Sequence, residues 1–208
     1  FREKYGINFD VIMNAPLHRQ LPAIAEKAEN FILYQGAVNE ARGLEFLLPA
    51  MKDIDTPLYI YGDGNYADQC RMLIAANQLE GKVYMKGSVL PGQLEQITRQ
   101  AMIGINLVEN NGLNQYYSLA NKFFDYMHAS VPQVTMNFPD YKRINDQFEI
   151  AVLITDLHEN SIIAAIKSLL NNKEKYDLIK QNCAKASAFF NWQNEEKKLI
   201  SIYKNIFG

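Results

Sequence analysis

Apolar residues in this chain gather into short unbroken runs that alternate with longer stretches of helical period. The runs lie at 31–35, 57–61, 82–86, 103–108, 132–136 and 150–154 and are rich in Ile, Val, Leu, Tyr and Phe. They are apolar on successive positions rather than on every second one, the pattern of strands covered on both faces in a parallel sheet. Between them, stretches at 42–52, 65–79, 91–100, 118–129, 139–147 and 159–171 read as helices; Leu44, Leu47, Leu48 and Met51 mark one core-facing stripe. Strand–helix alternation implies right-handed crossovers. The fold class predicted is therefore α/β: a Rossmann-like, doubly wound parallel sheet of about six strands with helices on both faces. Two more helices, at 174–189 and 193–206, have no strand between them.

The first thirty residues depart from this rhythm. Residues 9–13 read as a strand, Asn14-Ala15-Pro16 as a turn, and 17–30 as a connector without a clear period. The expected division is 1–30 as the remnant of a preceding domain and its hinge, 31–190 as the sheet domain, and 191–208 as a C-terminal helix. The first residue is Phe1 rather than a methionine, which fits one part of a longer protein.

Composition narrows the partners. The chain has 208 residues, enough for one large α/β domain and too few for two. Formal net charge is -2, and Lys and Arg are scattered, so no basic face offers itself to nucleic acid or to anionic lipid. Cys70 and Cys183 lie far apart in helical stretches, and His18, His128 and His158 are equally dispersed. That distribution predicts no disulfide framework, no metal site, and a reducing, cytoplasmic setting. No apolar run approaches the ~20 residues needed to cross a bilayer.

In a doubly wound sheet, ligands bind at the carboxyl ends of strands, over helix N-termini. Three strand-to-helix turns bear on function. In Gln35-Gly36-Ala37-Val38-Asn39-Glu40-Ala41-Arg42-Gly43, Arg42 stands where a helix begins, against the positive end of its dipole. An anionic ligand would remove that conflict; a solvated arginine is the alternative. Tyr61-Gly62-Asp63-Gly64 has Gly-x-Gly after a strand but lacks the third glycine of a dinucleotide fingerprint, so it reads first as a tight turn.

The third turn, after the polar stretch 109–117, opens the helix Ser118-Leu119-Ala120-Asn121-Lys122-Phe123-Phe124-Asp125-Tyr126-Met127, with Ser118 as the expected N-cap. Ala120, Phe123, Phe124 and Met127 form one stripe, and Ser118, Asn121, Lys122 and Asp125 the opposite one. The polar stripe suits a solvated face with a Lys122–Asp125 pair. It equally suits a phosphate held by Lys122 and helix amides, with a ribose on Asp125.

These motifs, in this order, resemble the C-terminal domain of the family 4 retaining glycosyltransferases, which have the two-Rossmann GT-B architecture. The likeness rests on Tyr34-Gln35-Gly36 with Arg42-Gly43-Leu44, on Tyr61-Gly62-Asp63-Gly64, and on Val83-Tyr84-Met85-Lys86-Gly87. It continues through the helix just quoted, similar to the Ser-Leu-Pro-Asn-Lys-Leu-Phe-Glu-Tyr-Met of one subgroup, to Val131-Pro132-Gln133-Val134 and Phe190-Asn191-Trp192.

The resemblance implies a donor site for a nucleoside diphosphate sugar. Arg42 and Lys122 would hold the diphosphate and stabilise it as it leaves, with Gly36 and the amides around Ser118, Leu119, Ala120 and Asn121 assisting. Asp125 would hold the ribose, Gly62 and Gly64 would line the cleft, and the base would lie near Met85 to Ser88. Two departures bear on donor chemistry: Ala37 stands at the family's second basic position and Tyr117 at its first acidic one. The implied reaction is transfer of a hexose or aminohexose, with retention, to a glycan or lipid-linked acceptor, without metal or cofactor. The acceptor site would lie on the preceding domain. This chain alone would then be inactive, and any peripheral membrane association would run through that domain. The alternatives are a nucleotide-sugar 2-epimerase, which needs acid/base carboxylates, and a non-catalytic nucleotide-binding or interaction module.

Overall fold

All six predicted strands form, each within two residues of its predicted ends: β1 Ile32–Gln35, β2 Leu58–Tyr61, β3 Val83–Gly87, β4 Ile103–Asn106, β5 Gln133–Met136 and β6 Ala151–Ile154. A computed structural model describes residues 2–19 and 30–207. The strands make one sheet in the order β3-β2-β1-β4-β5-β6, parallel throughout. Register follows from burial: Ile32 and Tyr34 face one core, while Phe31 and Leu33 face a second on the other side of the sheet.

The helices are α1 Arg2–Tyr5, α2 Leu44–Ala50, α3 Ala67–Ala76, α4 Pro91–Gln100, α5 Leu113–Tyr116, α6 Asn121–His128, α7 Pro139–Phe148, α8 Glu159–Leu170, α9 Lys173–Phe189 and α10 Trp192–Phe207. Among them α2 packs on α3 and α8, whereas α6 packs on α4 and α9, giving a layer on each face of the sheet. Pro49 sits inside α2, where its missing N–H weakens the last turn. The helix accordingly tightens into a 3₁₀ turn, Met51–Asp53.

Two expectations are corrected. Residues 9–13 are not a strand of the sheet, because α10 rather than a neighbouring strand takes up their backbone groups. The Met13 N–H donates to Glu195 Oε2 at 2.8 Å, and Lys198 Nζ donates to the Val11 carbonyl. The helix expected over 118–129 begins only at Asn121, with Ala120 as its N-cap in extended conformation. Ser118 lies outside it, its hydroxyl donating to the Gln115 carbonyl just past α5. Of the connector expected over 17–30, residues 20–29 lie outside the described residues.

One contact sets the depth of α6. Tyr126 is fully buried against β4, and a Cβ on Gly104 would meet its ring at 2.5 Å, so only glycine admits the ring there. The Tyr126 hydroxyl donates to the Leu33 carbonyl at 3.0 Å, tying α6 across β1 and β4. The helix is thereby anchored where its next-turn residues reach the top of the sheet.

Candidate functional site

Strand order reverses direction between β1 and β4, and there the two flanking crossovers part to leave a crevice at the strand ends. A cavity of about 330 Å³ occupies it. The end of β1 and its turn contribute Gln35, Gly36, Ala37 and Arg42; α6 contributes Asn121, Lys122 and Asp125 from its open face, with Ala120 beside them; Leu94 of α4 forms the remaining wall.

Two further cavities adjoin it. One, of about 210 Å³, shares Gly36, Ala37 and Leu94 and extends to Gly62, Asp63, Ser88 and Val89. The other, of about 340 Å³, shares Gln35, Leu94 and Asp125 and runs between α4 and α6 to Pro16 and His18. The three form one groove across the carboxyl ends of β1, β2 and β3, walled by α4 and α6.

Charge in the groove is held under tension. Lys122 Nζ stands 3.9 Å from the centroid of the Tyr34 ring, a cation–π contact. Burial, then the nearby Arg42, lowers the Lys122 pKa to about 7, and Asp125 offsets this only in part. Asp125 is pushed up to about 6, chiefly by burial; its hydrogen bond from Gln35 opposes the shift. Arg42 forms no ion pair among the described residues. Arg42 and Lys122 thus face one cavity together with Asp125, and none of the three is closed in an ion pair among the described residues.

The turns that frame this cavity interlock through backbone. The Tyr34 hydroxyl donates to the Ala37 carbonyl at 2.7 Å, and Gly36 N–H donates to Tyr61 O at 2.9 Å. A Cβ on Gly62 would come within 1.8 Å of the Gly36 carbonyl oxygen, so the two turns approach at a distance only glycine permits.

Among the sequence-predicted residues, Gly36, Arg42, Ala120, Asn121, Lys122 and Asp125 meet at the first cavity, and Gly62 lines the second. The Ala120 N–H is already committed to the Tyr141 hydroxyl at 3.0 Å and the Phe123 N–H to the Ala120 carbonyl at 3.0 Å, which leaves the amides of Asn121 and Lys122 at the start of α6. Other predicted residues sit elsewhere. Leu119 and Met85 pack against the core, Ser118 caps a loop, and Gly64 is pressed against Val38 and Asn39. Tyr117 is exposed with its ring edge-on to Tyr116, whereas Ala37 lines both cavities.

Sequence reasoning missed three features. Gln35 donates to Asp125 Oδ2 at 3.0 Å and accepts from Thr98 Oγ1 at 2.7 Å; its one signal was an amide ending an otherwise apolar strand. Glu45 and Glu109 lie beside one another with Glu45 Oε2 buried and without a hydrogen-bond partner, and burial, then this neighbour, raises Glu45 to about 7. Residues 13–18 are clamped to the start of α10: Trp192 N–H donates to the Pro16 carbonyl, and Gln193 bonds both backbone groups of His18. From that strap, Asn14 Nδ2 reaches Asn121 Oδ1 at 3.0 Å, at the rim of the cavity.

Among the described residues no helix is long and apolar enough to cross a membrane. Among curated proteins, no sequence matches this chain. Solved structures do. Anabaena HepE, in complex with UDP and glucose, superposes with a TM-score of 0.72 at 14% identity, over 85% of this chain and 49% of that one. S. aureus TarM, in a complex that includes UDP, gives 0.67 at 19%, over 94% and 38%. The C-terminal domain of LpcC, a group 1 family glycosyl transferase of Francisella tularensis, gives 0.59 at 12%, over 77% and 85%. This chain thus spans about half, or less, of the HepE and TarM chains. At such identities the likeness establishes the fold, a Rossmann-like half of the GT-B architecture. The sequence profile described as "Glycosyl transferases group 1" matches residues 19–186, most of the chain, and the protein belongs to that family.

Proposed function

We propose that this chain is the donor-binding half of a retaining glycosyltransferase of family 4 type, taking its sugar from a nucleoside diphosphate sugar. The observation that carries the reading is convergence: Arg42 and Lys122 come from two different turns to one cavity that also holds Asp125. The two cations hold the diphosphate and stabilise the charge that grows on it as the glycosidic bond breaks. The first-turn amides of α6 add their dipole. Asp125 accepts from the ribose hydroxyls, and the base lies in the adjoining cavity against Ser88 and Val89. No metal or cofactor enters this scheme. UDP is the first nucleotide to try, since HepE and TarM were both crystallised with it.

Asp125 is the carboxylate of this cavity, which favours transfer over an epimerase needing paired acid and base groups. The acceptor, a glycan or a lipid-linked sugar, would bind to a separate acceptor domain, with residues 1–30 as its remnant and hinge. Exposed Ile200, Tyr203, Ile206 and Phe207 along α10 offer that domain an apolar surface. Any peripheral membrane contact would come through it, and the free, buried Cys70 and Cys183 suit a reducing cytoplasm.

The test is calorimetric titration of the chain with UDP, GDP and ADP. Saturable binding of one of them in the micromolar to millimolar range is expected, because only one wall of the cleft is present. Absence of binding by all three would sink the reading. Sugar transfer by this chain alone would sink the two-domain part of it.

A further inference from the structure

Gln35 is one of few polar side chains in the core of the sheet, 3% exposed at the end of the central strand β1. A buried amide costs free energy unless both its ends are bonded. Here both are: Nε2 donates to Asp125 Oδ2 at 3.0 Å, and Oε1 accepts from the Thr98 hydroxyl at 2.7 Å. Thr98 is 2% exposed on α4. The chain Thr98–Gln35–Asp125 therefore links α4, β1 and α6 beneath the wall shared by two of the cavities.

The order of the bonds sets the direction of the amide. With Oε1 taken by the Thr98 hydroxyl, Gln35 can present only its N–H to Asp125, which favours a carboxylate acceptor over a carboxylic acid. The Thr98 hydroxyl has an alternative acceptor, the Leu94 carbonyl, also at 2.7 Å. If its proton went there, the amide would be free to turn its oxygen towards Asp125. The amide is thus held this way round while the Thr98 proton lies on Gln35 Oε1.

We infer that Gln35, oriented by Thr98, is a positioning residue that fixes the Asp125 carboxylate for the two ribose hydroxyls of the donor, and so sets the preference for a ribonucleotide. This rests on the donor-site reading above. The bond from Gln35 occupies one lone pair of Oδ2 and pins the carboxylate plane, leaving the remaining lone pairs directed at the cavity. The other ionisable groups around the acid are Arg42 of the β1 turn, Glu95 and Arg99 of α4, Lys122 and His128 of α6, His18 of the strap and Arg19 just after it. Glu95 raises the Asp125 pKa and Lys122 lowers it, so Gln35 acts alongside Lys122 in keeping the acid ionised.

The experiment uses the whole chain with Gln35→Leu, Thr98→Val and Thr98→Ser, each checked for a folded circular-dichroism spectrum. Two readouts are taken: the carboxyl carbon shift of Asp125 titrated by NMR, and the affinity ratio of UDP to 2′-deoxy-UDP. In the unaltered chain Asp125 should titrate near 6, and UDP should bind about tenfold more tightly than its deoxy analogue. Gln35→Leu should raise the titration midpoint and reduce the ratio to about twofold, Thr98→Val should do the same in smaller measure, and Thr98→Ser should restore both. A folded Gln35→Leu or Thr98→Val protein with an unshifted midpoint and an intact ratio would overturn the inference and leave the donor site standing. If the unaltered chain binds no nucleotide, or binds both analogues equally, the donor reading itself fails and this inference with it.

Discussion

Lys122 is held over the ring of Tyr34 at 3.9 Å while Tyr34 bonds the Ala37 carbonyl, so one aromatic ring both seats the lysine and shapes the turn opposite. The ring gives the ammonium a partial counter-charge but not an ion pair, and burial outweighs it: the Lys122 pKa falls to about 7. Much of the lysine population is therefore neutral when the cavity is empty at slightly alkaline pH. A diphosphate in the cavity would restore the charge.

That gives the first prediction. At about pH 7.5, binding of UDP should be accompanied by uptake of roughly half a proton or more, as the ligand raises the Lys122 pKa. Calorimetry in buffers of differing ionisation enthalpy measures this. Lys122→Arg, charged at any pH used, should bind without the uptake. Equal proton uptake by both proteins would show that Lys122 does not meet the phosphates.

Arg42 tests the division of labour along the groove. It approaches the cavity from the β1 turn, two residues before α2, and has no ion pair among the described residues to lose. Arg42→Ala should weaken UDP by about 1.5–3 kcal/mol, the worth of a charge-assisted contact, and UMP by much less. The unfolding free energy should stay within about 0.5 kcal/mol of the parent, since Arg42 is only half-buried and gives up no ion pair among the described residues. Equal losses for UDP and UMP would place Arg42 away from the outer phosphate.

Legibility of the sequence follows the range of the interactions. The sheet was readable because each strand is an unbroken apolar run, and a run reports burial without reference to its neighbours. That Arg42, Lys122 and Asp125 converge on one cavity was readable because they lie at or just beyond strand-to-helix turns, which the fold gathers at one end of the sheet. The start of α6 was misread because Ser118 looks like an N-cap, yet its hydroxyl bonds backward to Gln115. The segment 9–13 has strand composition, but its backbone partners lie on α10, far along the chain. Gln35–Thr98 and Glu45–Glu109 are likewise contacts across distant segments; the amide that ends an apolar strand marks Gln35, but nothing local names any of the partners.

The Glu45–Glu109 contact yields a stability prediction. Glu45 is raised from 4.5 to about 7, so the folded state binds more protons than the unfolded one between those values. Stability from this group is thus fully present below about pH 4.5 and is lost as pH rises through about 7. Glu45→Gln removes the penalty: its melting temperature should exceed the parent's by about 2–6 °C at pH 8, with no gain near pH 4. A gain that does not vary with pH would mean the effect is packing rather than ionisation.

Asp125 should show the same sign with a functional cost. Its pKa is raised from 3.8 to about 6, so its contribution to stability is complete below about pH 3.8 and is lost as pH rises through about 6. Asp125→Asn keeps the side-chain volume and, through its amide oxygen, the bond from Gln35 Nε2, so the folded chain should be more stable than the parent above about pH 6 by a few degrees. The same change removes the acceptor for the ribose hydroxyls. It should weaken UDP and UMP by equal factors, since ribose is common to both, and should abolish the preference for UDP over 2′-deoxy-UDP. Stability and affinity would then move in opposite directions at one residue, which a purely structural acid cannot do. Thermal unfolding at about pH 4 and 8, with the three affinities at about pH 7, decides it. Loss of stability at pH 8 together with unchanged affinities would mark Asp125 as a core residue and move the ribose site elsewhere in the groove.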